Sequence, residues 1–269
     1  MLRGFRRRGA DLAPIGHAPR MPSVLITGVS RPNAIGWAIA DRLTDSGWQV
    51  STCGWPVHDE EQNIEVDPAT TPPDDFHWTA MDFADAAAPA VSIDTHVRRF
   101  GGLDALIAAH ARSVDQDLDS VTGEELDASF GVNTRATILL VQAAARIGVR
   151  RVVLFTTGVH QGPMPTEIPY VTSKAALQGM TATLAAALAP TGATVNCLNP
   201  GPNDTGWPDE LTKRIVAERM PLAPRWGAPS DVVGLVEFLL SDQGGWITGQ
   251  TLDCDGGWGI RAGVQQRSP

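Results

Sequence analysis

The chain has 269 residues, 43% hydrophobic and 19% charged, with a formal net charge of −9. This is ordinary for a globular protein. The acid excess leaves no basic face for nucleic acid, and no run approaches the roughly 18 apolar residues of a membrane span. Cys53, Cys197 and Cys254 are far apart and odd in number, and the six histidines are scattered. No metal-ligand spacing results, so no metal is expected and a reducing, cytoplasmic setting is the simplest inference.

Residues 1–21 carry Arg3, Arg6, Arg7, Arg8 and Arg20 against one acid, Asp11, without the apolar run of a signal peptide. An organelle transit peptide has a similar composition. A disordered extension, or a start upstream of the real one at Met21, is the expectation, and it is given no function. Residues 22–269 contain no linker or repeat and are read as one domain. Ser23 to Gly28 is an apolar, β-rich run expected to be a buried strand, and Trp37 to Leu43 has helical spacing. Between them, Gly28 to Gly36 (Gly-Val-Ser-Arg-Pro-Asn-Ala-Ile-Gly) forms a strand–turn–helix connection. Its outward N–H groups and the helix dipole suit a phosphate. Gly28 allows the tight turn and Gly36 close helix–strand packing. The loop is longer than the usual fingerprint and has Ala34 where a glycine is often found, so a purely structural turn stays open.

Trp48 to Gly54 reads as a second strand. Its end, Thr52-Cys53-Gly54-Trp55, offers no acid for a ribose 2′-hydroxyl, and Arg31 is able to meet a 2′-phosphate instead. Both lean toward NADP, with NAD the alternative. Residues 59–75 hold seven acids, Asp59, Glu60, Glu61, Glu65, Asp67, Asp74 and Asp75. They read as an exposed acidic loop whose field would oppose an extra phosphate. Further strands are expected at Phe76–Met81, Leu103–Ala109, Arg151–Thr156, Thr194–Leu198 and Gln250–Asp253. Helices are expected at Val91–Phe100, Gly123–Ile147, Lys174–Leu188 and Asp231–Leu240. The alternation favours right-handed βαβ units in a doubly wound parallel sheet of about seven strands, helices on both faces.

Tyr170 is the only tyrosine, and Lys174 follows by four residues, a spacing that stacks both on one helix face. A free phenol has a pKa of about 10; a cation within about 4–6 Å lowers it, which suits proton exchange with an alcohol or carbonyl oxygen. A surface tyrosine stacked on a lysine stem is the alternative.

The order of motifs carries more than any one of them. Thr27-Gly28, Asn133 in the middle helix, Thr156-Thr157 at a strand end, Tyr170-x-x-x-Lys174, Asn199-Pro200-Gly201-Pro202-Asn203-Asp204-Thr205 and Asp255-Gly256-Gly257 follow in turn. From about Ser23 to Trp258 the chain resembles the short-chain dehydrogenase/reductase family. Its length and Ile247-Thr248-Gly249-Gln250 look most like the 3-oxoacyl-carrier-protein reductase type. The resemblance implies an α/β, single-domain Rossmann-type fold and NAD(P)-dependent hydride transfer between nicotinamide and a small-molecule carbonyl or alcohol. Tyr170 would be the general acid/base. Lys174 would hold the nicotinamide ribose and lower the phenol's pKa, Thr157 would stand for the family's serine, and Asn133 would hold a relay water. Gly28, Ser30, Arg31, Ile35 and Gly36 would surround the phosphates. Asp82, Phe83 and Ala109 would line the adenosine side; Pro200, Gly201, Asn203 and Thr205 would hold the carboxamide and pyrophosphate side. A homodimer or homotetramer through the Tyr170 helix and last strand is also implied.

The chain departs from the family in Ala34, in Asn203, and in Ala108-Ala109-His110-Ala111, which stands for Asn-Asn-Ala-Gly and loses two amides. His110 is read either as replacing a hydrogen bond or as a strand-end histidine without a role, the second reading being preferred. These changes leave open a non-catalytic nucleotide-binding or scaffold protein on the same fold. The substrate pocket is expected near Ala111–Asp117, Val159–Pro165 and Trp207–Pro221, with Met164, Trp207, Leu211 and Met220 facing an apolar substrate portion. The stretch after Thr205 is read as a mobile lid.

Overall fold

The computed structural model describes residues 20–62, 64 and 71–263. Seven parallel strands are ordered β3-β2-β1-β4-β5-β6-β7. They are β1 (Ser23–Thr27), β2 (Gln49–Gly54), β3 (Trp78–Ala80), β4 (Ala105–Ala108), β5 (Arg151–Phe155), β6 (Thr194–Asn199) and β7 (Thr251–Asp253). Every residue of β1, β4, β5 and β6 is buried, as sheets covered on both faces require. Strand order reverses between β1 and β4, so a crevice opens at their C-terminal ends. The expected doubly wound architecture is met.

The helices are α1 (Ile35–Asp45), α2 (Pro56–Glu61), α3 (Ala88–Phe100), α4 (Gly123–Ser129), α5 (Ala136–Arg146), α6 (Ile168–Leu188), α7 (Glu210–Arg219) and α8 (Val233–Leu240). One core, with Leu106, Leu140 and Leu177, lies between the sheet and α3, α5 and α6. The other, with Ile26, Ile39, Ile107 and Leu239, lies beneath α1 and α8. Leu106 and Ile107 are neighbours on β4 and point to opposite faces, one into each core.

Three expectations are corrected. The third strand starts at Trp78 rather than Phe76, which sits in a 3₁₀ turn (Asp74–Phe76). Phe76 is fully buried, its ring 5.4 Å edge-on from Trp37, so side-chain burial took it out of the ladder. The helix expected over Gly123–Ile147 is interrupted by a π turn, Phe130–Arg135. It starts where the Thr122 hydroxyl accepts from Glu125 N at 3.2 Å, satisfying a first-turn amide. The supposed acidic loop begins as α2, in which Asp59 is buried. The rest of that loop at 63 and 65–70, and the extension over 1–19, lie outside the described residues. Arg20 pairs with Asp104 at 2.7 Å. No helix among the described residues is long and apolar enough to cross a membrane.

Leu106→Ala is expected to cost about 2–5 kcal/mol, because the sheet cannot collapse onto the cavity it leaves. Leu118→Ala, at a side chain 81% exposed, is expected to stay within about 0.5 kcal/mol. Urea unfolding of the two variants measures the difference.

Candidate active site

The turn after β1 is shaped for close approach. Gly28 has φ +79°, and a Cβ there would lie 2.6 Å from the Ala109 carbonyl carbon and oxygen. At Gly36 a Cβ would lie 2.8 Å from the Gly28 carbonyl oxygen. Both glycines therefore hold α1 and the β4 end against the turn. A cavity of about 340 Å³ runs from this turn, past Asp82 and Phe83, to Tyr170, Lys174 and Thr205. Ser30, Arg31, Ile35, Ala109 and Pro200 line it as well. Ala34 is buried and leaves this cavity open. A helix N-terminus, a glycine turn and an elongated cleft at the strand switch point fit a dinucleotide. Gly201, with φ +63°, and Asn203 line the adjoining cavity.

Lys174 is 3% exposed. Its ammonium donates to the carbonyl oxygens of Phe155 (3.0 Å) and His110 (3.2 Å), and burial pulls its pKa down to about 8. Tyr170, one turn earlier, is half-buried, and burial, aided by the Glu167 charge, pushes the phenol up to about 12. The expectation that Lys174 lowers this pKa is therefore not met in the ligand-free protein: the ammonium is turned to backbone, and desolvation dominates. The Thr157 hydroxyl opposes the rise and also contacts Met164 Sδ at 3.7 Å. Tyr170, Thr157 and Lys174 are thus brought together.

Asn133 is fully buried in the π turn, a distortion common at functional sites. Its amide donates to Arg112 O (2.9 Å) and Ser173 Oγ (2.8 Å), and its Oδ1 accepts from Arg112 N (2.7 Å). The side chain is committed to joining the loop after β4 to α6. His110 does have a role. Its Nε2 lies 3.0 Å from the Val132 carbonyl and its Nδ1 2.7 Å from Thr27 Oγ1. A carbonyl only accepts, so Nε2 carries the hydrogen and Nδ1 accepts from the hydroxyl. The ring, tilted 4.4 Å from Phe83, ties β1 to the π turn.

Arg31 is not free. It forms an ion pair with Asp59 of α2 and donates through Nε to the Thr205 carbonyl at 3.0 Å. The second Asp59 oxygen is buried without a partner among the described residues. His58 Nε2 accepts from Ser113 N at 3.1 Å, and Glu61 lies 3.7 Å from Arg112, itself paired twice with Glu125. Helix α2 thus bridges the β2 side of the cleft to the loop after β4. The sequence reading missed His58, Asp59 and Glu167. For Glu167 the signal was present: it precedes Tyr170 by three residues, one turn on the same face.

A second cavity, about 540 Å³, adjoins Tyr170 and is walled by Thr157, Met164, Glu167, Trp207 and Trp226. Met164 and Trp207 lie where expected, whereas Leu211 is exposed on α7.

His96 and His110 are held neutral, pushed down by burial to about 4 and about 3. The unfolded chain binds protons that these rings refuse. The stability they confer is complete above about pH 6.5 and is lost progressively as pH falls toward the folded values. Thermal midpoints are expected to be level above about pH 7 and to drop below about 6.5, less steeply in His110→Asn than in the parent.

Residues 28–259 match the family profile described as enoyl-(acyl carrier protein) reductase. The chain is 31% identical over 248 residues to the uncharacterized oxidoreductase YjdA of Bacillus subtilis (strain 168), covering 87% of this chain and 95% of that one. Human dehydrogenase/reductase SDR family member 4 is 31% identical, with 84% of each chain covered. A Burkholderia cenocepacia short chain dehydrogenase solved with NADP superposes with TM-score 0.76 at 31% identity, covering 89% of this chain and 98% of that one. Sheet order, motif order and these relatives agree: the chain belongs to the short-chain dehydrogenase/reductase family.

Proposed function

We propose that the protein is an NAD(P)-dependent oxidoreductase that interconverts a secondary alcohol and a carbonyl, with Tyr170 as the general acid/base. The observation that carries this reading is the convergence of Tyr170, Thr157 and Lys174 where the two cavities meet. Pro200 and Thr205 line the cleft where they would hold a nicotinamide, which when bound would supply or accept hydride at the substrate carbon. Tyr170 gives its phenolic proton to the carbonyl oxygen in reduction and recovers it in oxidation. Thr157 keeps the hydroxyl needed to orient that oxygen. Lys174, anchored by two carbonyls, stands one turn below the phenol, where it favours the phenolate once a ligand draws the ammonium toward the cleft. Gly28, Ser30, Ile35 and Gly36 would receive the phosphates on backbone N–H groups, Asp82, Phe83 and Ala109 the adenosine, and Gly201 and Asn203 the carboxamide side.

NADP is the cofactor this reading favours. Arg31 sits in the first turn, and a relative 31% identical binds NADP. For a 2′-phosphate to be bound, Arg31 exchanges Asp59 for it. The partnerless Asp59 oxygen favours NAD as the second reading, since it suits a ribose hydroxyl. The reading extends to a cytoplasmic homodimer or homotetramer through α6, whose Gly179 has no neighbour within 4 Å of an added Cβ among the described residues.

Tyr170→Phe is expected to lower turnover at least about 10³-fold while dinucleotide affinity stays within a few-fold; wild-type turnover in the variant contradicts the assignment. Titration with NADPH and NADH, followed by tryptophan fluorescence, reads the cofactor. NADPH is expected to bind more tightly in the parent and tighter still in Asp59→Asn, whereas preference for NADH lost in Asp59→Asn selects the second reading.

A further inference from the structure

Helix α2 has almost no apolar anchor. Val57 is 41% exposed, Trp55 just ahead of the helix is 39% exposed, and the one buried residue of α2 is an acid, Asp59. The chain entering the helix is fixed. Val29 N donates to Cys53 O at 3.0 Å and Met81 N to Gly54 O at 2.9 Å. A Cβ at Gly54 would lie 2.4 Å from Val29 O. Past that point the ties are polar. Ser113 N, in the loop after β4, donates to His58 Nε2 at 3.1 Å, and Arg112 lies 3.7 Å from Glu61. Asp59 pairs with Arg31 of the glycine turn. Trp55, His58, Asp59 and Glu61 line the cleft that fits a dinucleotide, and His58 and Asp59 line the second cavity as well. The helix therefore spans the cleft from its β2 rim to its β4 rim.

The closed position is easy to leave. Segments with little apolar burial open locally at low cost, and a single hydrogen bond or an exposed ion pair holds such an equilibrium by only a few-fold. Asp59 is 5% exposed, and its second oxygen is buried without a partner among the described residues. An unsatisfied buried acceptor opposes closure. His58 is neutral when Nε2 accepts, so Nδ1 carries the hydrogen. Burial, then the Arg112 charge, hold the imidazole below its ordinary pKa, against the pull of Glu61 and Asp59. Behind these stand Glu125 of α4, paired with Arg112, and Arg31, paired with Asp59. An opened strap takes up the proton that the latched ring refuses, so acid below about pH 6.5 favours opening.

We propose that α2 is a strap over the dinucleotide cleft, latched to the loop after β4 by His58, and that dinucleotide enters and leaves when this latch opens. This rests on the dinucleotide cleft of the oxidoreductase reading above. The latch re-forms over the bound dinucleotide, so it slows entry and release alike.

Stopped-flow mixing of the full chain with NADPH, and with NADH, followed by tryptophan fluorescence, reads both rates. Association and dissociation are expected to rise together, at least about fivefold in His58→Ala and about threefold in Glu61→Gln, with Kd moving less than either rate. Glu61→Gln changes a side chain 53% exposed and leaves the fold intact. Glu60→Gln makes the same charge change at an exposed neighbour on the same helix and is expected to leave both rates unchanged. In the parent, association is expected to quicken as pH falls through about 6.5, and in His58→Ala that rise is expected to be absent. Faster dissociation with unchanged association in both variants makes α2 a simple contact; it overturns the strap and keeps the dinucleotide reading. Equal effects of Glu60→Gln and Glu61→Gln assign the change to charge steering and overturn the strap as well. A pH profile that His58→Ala leaves unaltered overturns the latch. Binding of neither dinucleotide by parent or variants sinks the oxidoreductase reading, and the strap with it.

Discussion

The site depends on one buried ammonium. Lys174 lies almost out of water, with no ion-pair carboxylate among the described residues; two backbone carbonyls, from His110 after β4 and Phe155 at the end of β5, take its hydrogens. An ammonium is expensive to desolvate unless it is hydrogen-bonded. The two bonds therefore fix where the first turns of α6 sit against the sheet. Tyr170, four residues earlier, is carried into the crevice by that placement. Thr156 adds to the same anchor by donating its hydroxyl to the Lys174 carbonyl at 2.8 Å. Because the carbonyls lie at the C-terminal ends of central parallel strands, the Tyr170 phenol stands near the point where strand order reverses.

A second layer of polar ties makes this geometry rigid. His110 joins β1 to the π turn, and Asn133 joins the π turn to α6 and to Arg112. Where the family resemblance implies paired amides after β4, this chain makes its hydrogen bonds through an imidazole. The exchange has a consequence in acid, since imidazole titrates where an amide does not. On the open side of the cleft, the Arg31–Asp59 pair and α2 occupy the approach to the phosphate turn. The glycine turn and α2 are tied to each other by that ion pair.

Much of the fold was legible because it is local. Buried parallel strands write apolar runs such as Ala105–Ala108, and glycines mark the turn where φ turns positive. The site's centre was legible because Tyr170 and Lys174 fall on one helix face at a spacing of four. What escaped reading was set by distant partners. Phe76 left its strand because Trp37 and the core took the ring. Asp59, among acids and prolines that suggest solvent, is buried because Arg31, 28 residues earlier in sequence, folds back onto it. His110 looked idle because its partners, Thr27 and Val132, come from two other elements. The phenol's raised pKa reflects desolvation that spacing alone does not encode.

The single tyrosine permits a direct measurement. Labelling the chain with tyrosine carrying ¹³C at Cζ gives one resonance, Tyr170, whose shift follows phenol ionisation in the intact protein. The account predicts that the phenol stays protonated to beyond about pH 10 in the free protein, as its burial dictates. With an oxidised nicotinamide dinucleotide bound, the transition is predicted to fall well below that of a free tyrosine and to coincide with the rise of alcohol oxidation. A resonance that stays protonated through the pH range of turnover, with the dinucleotide bound, contradicts the assignment of Tyr170 as the proton-transfer group.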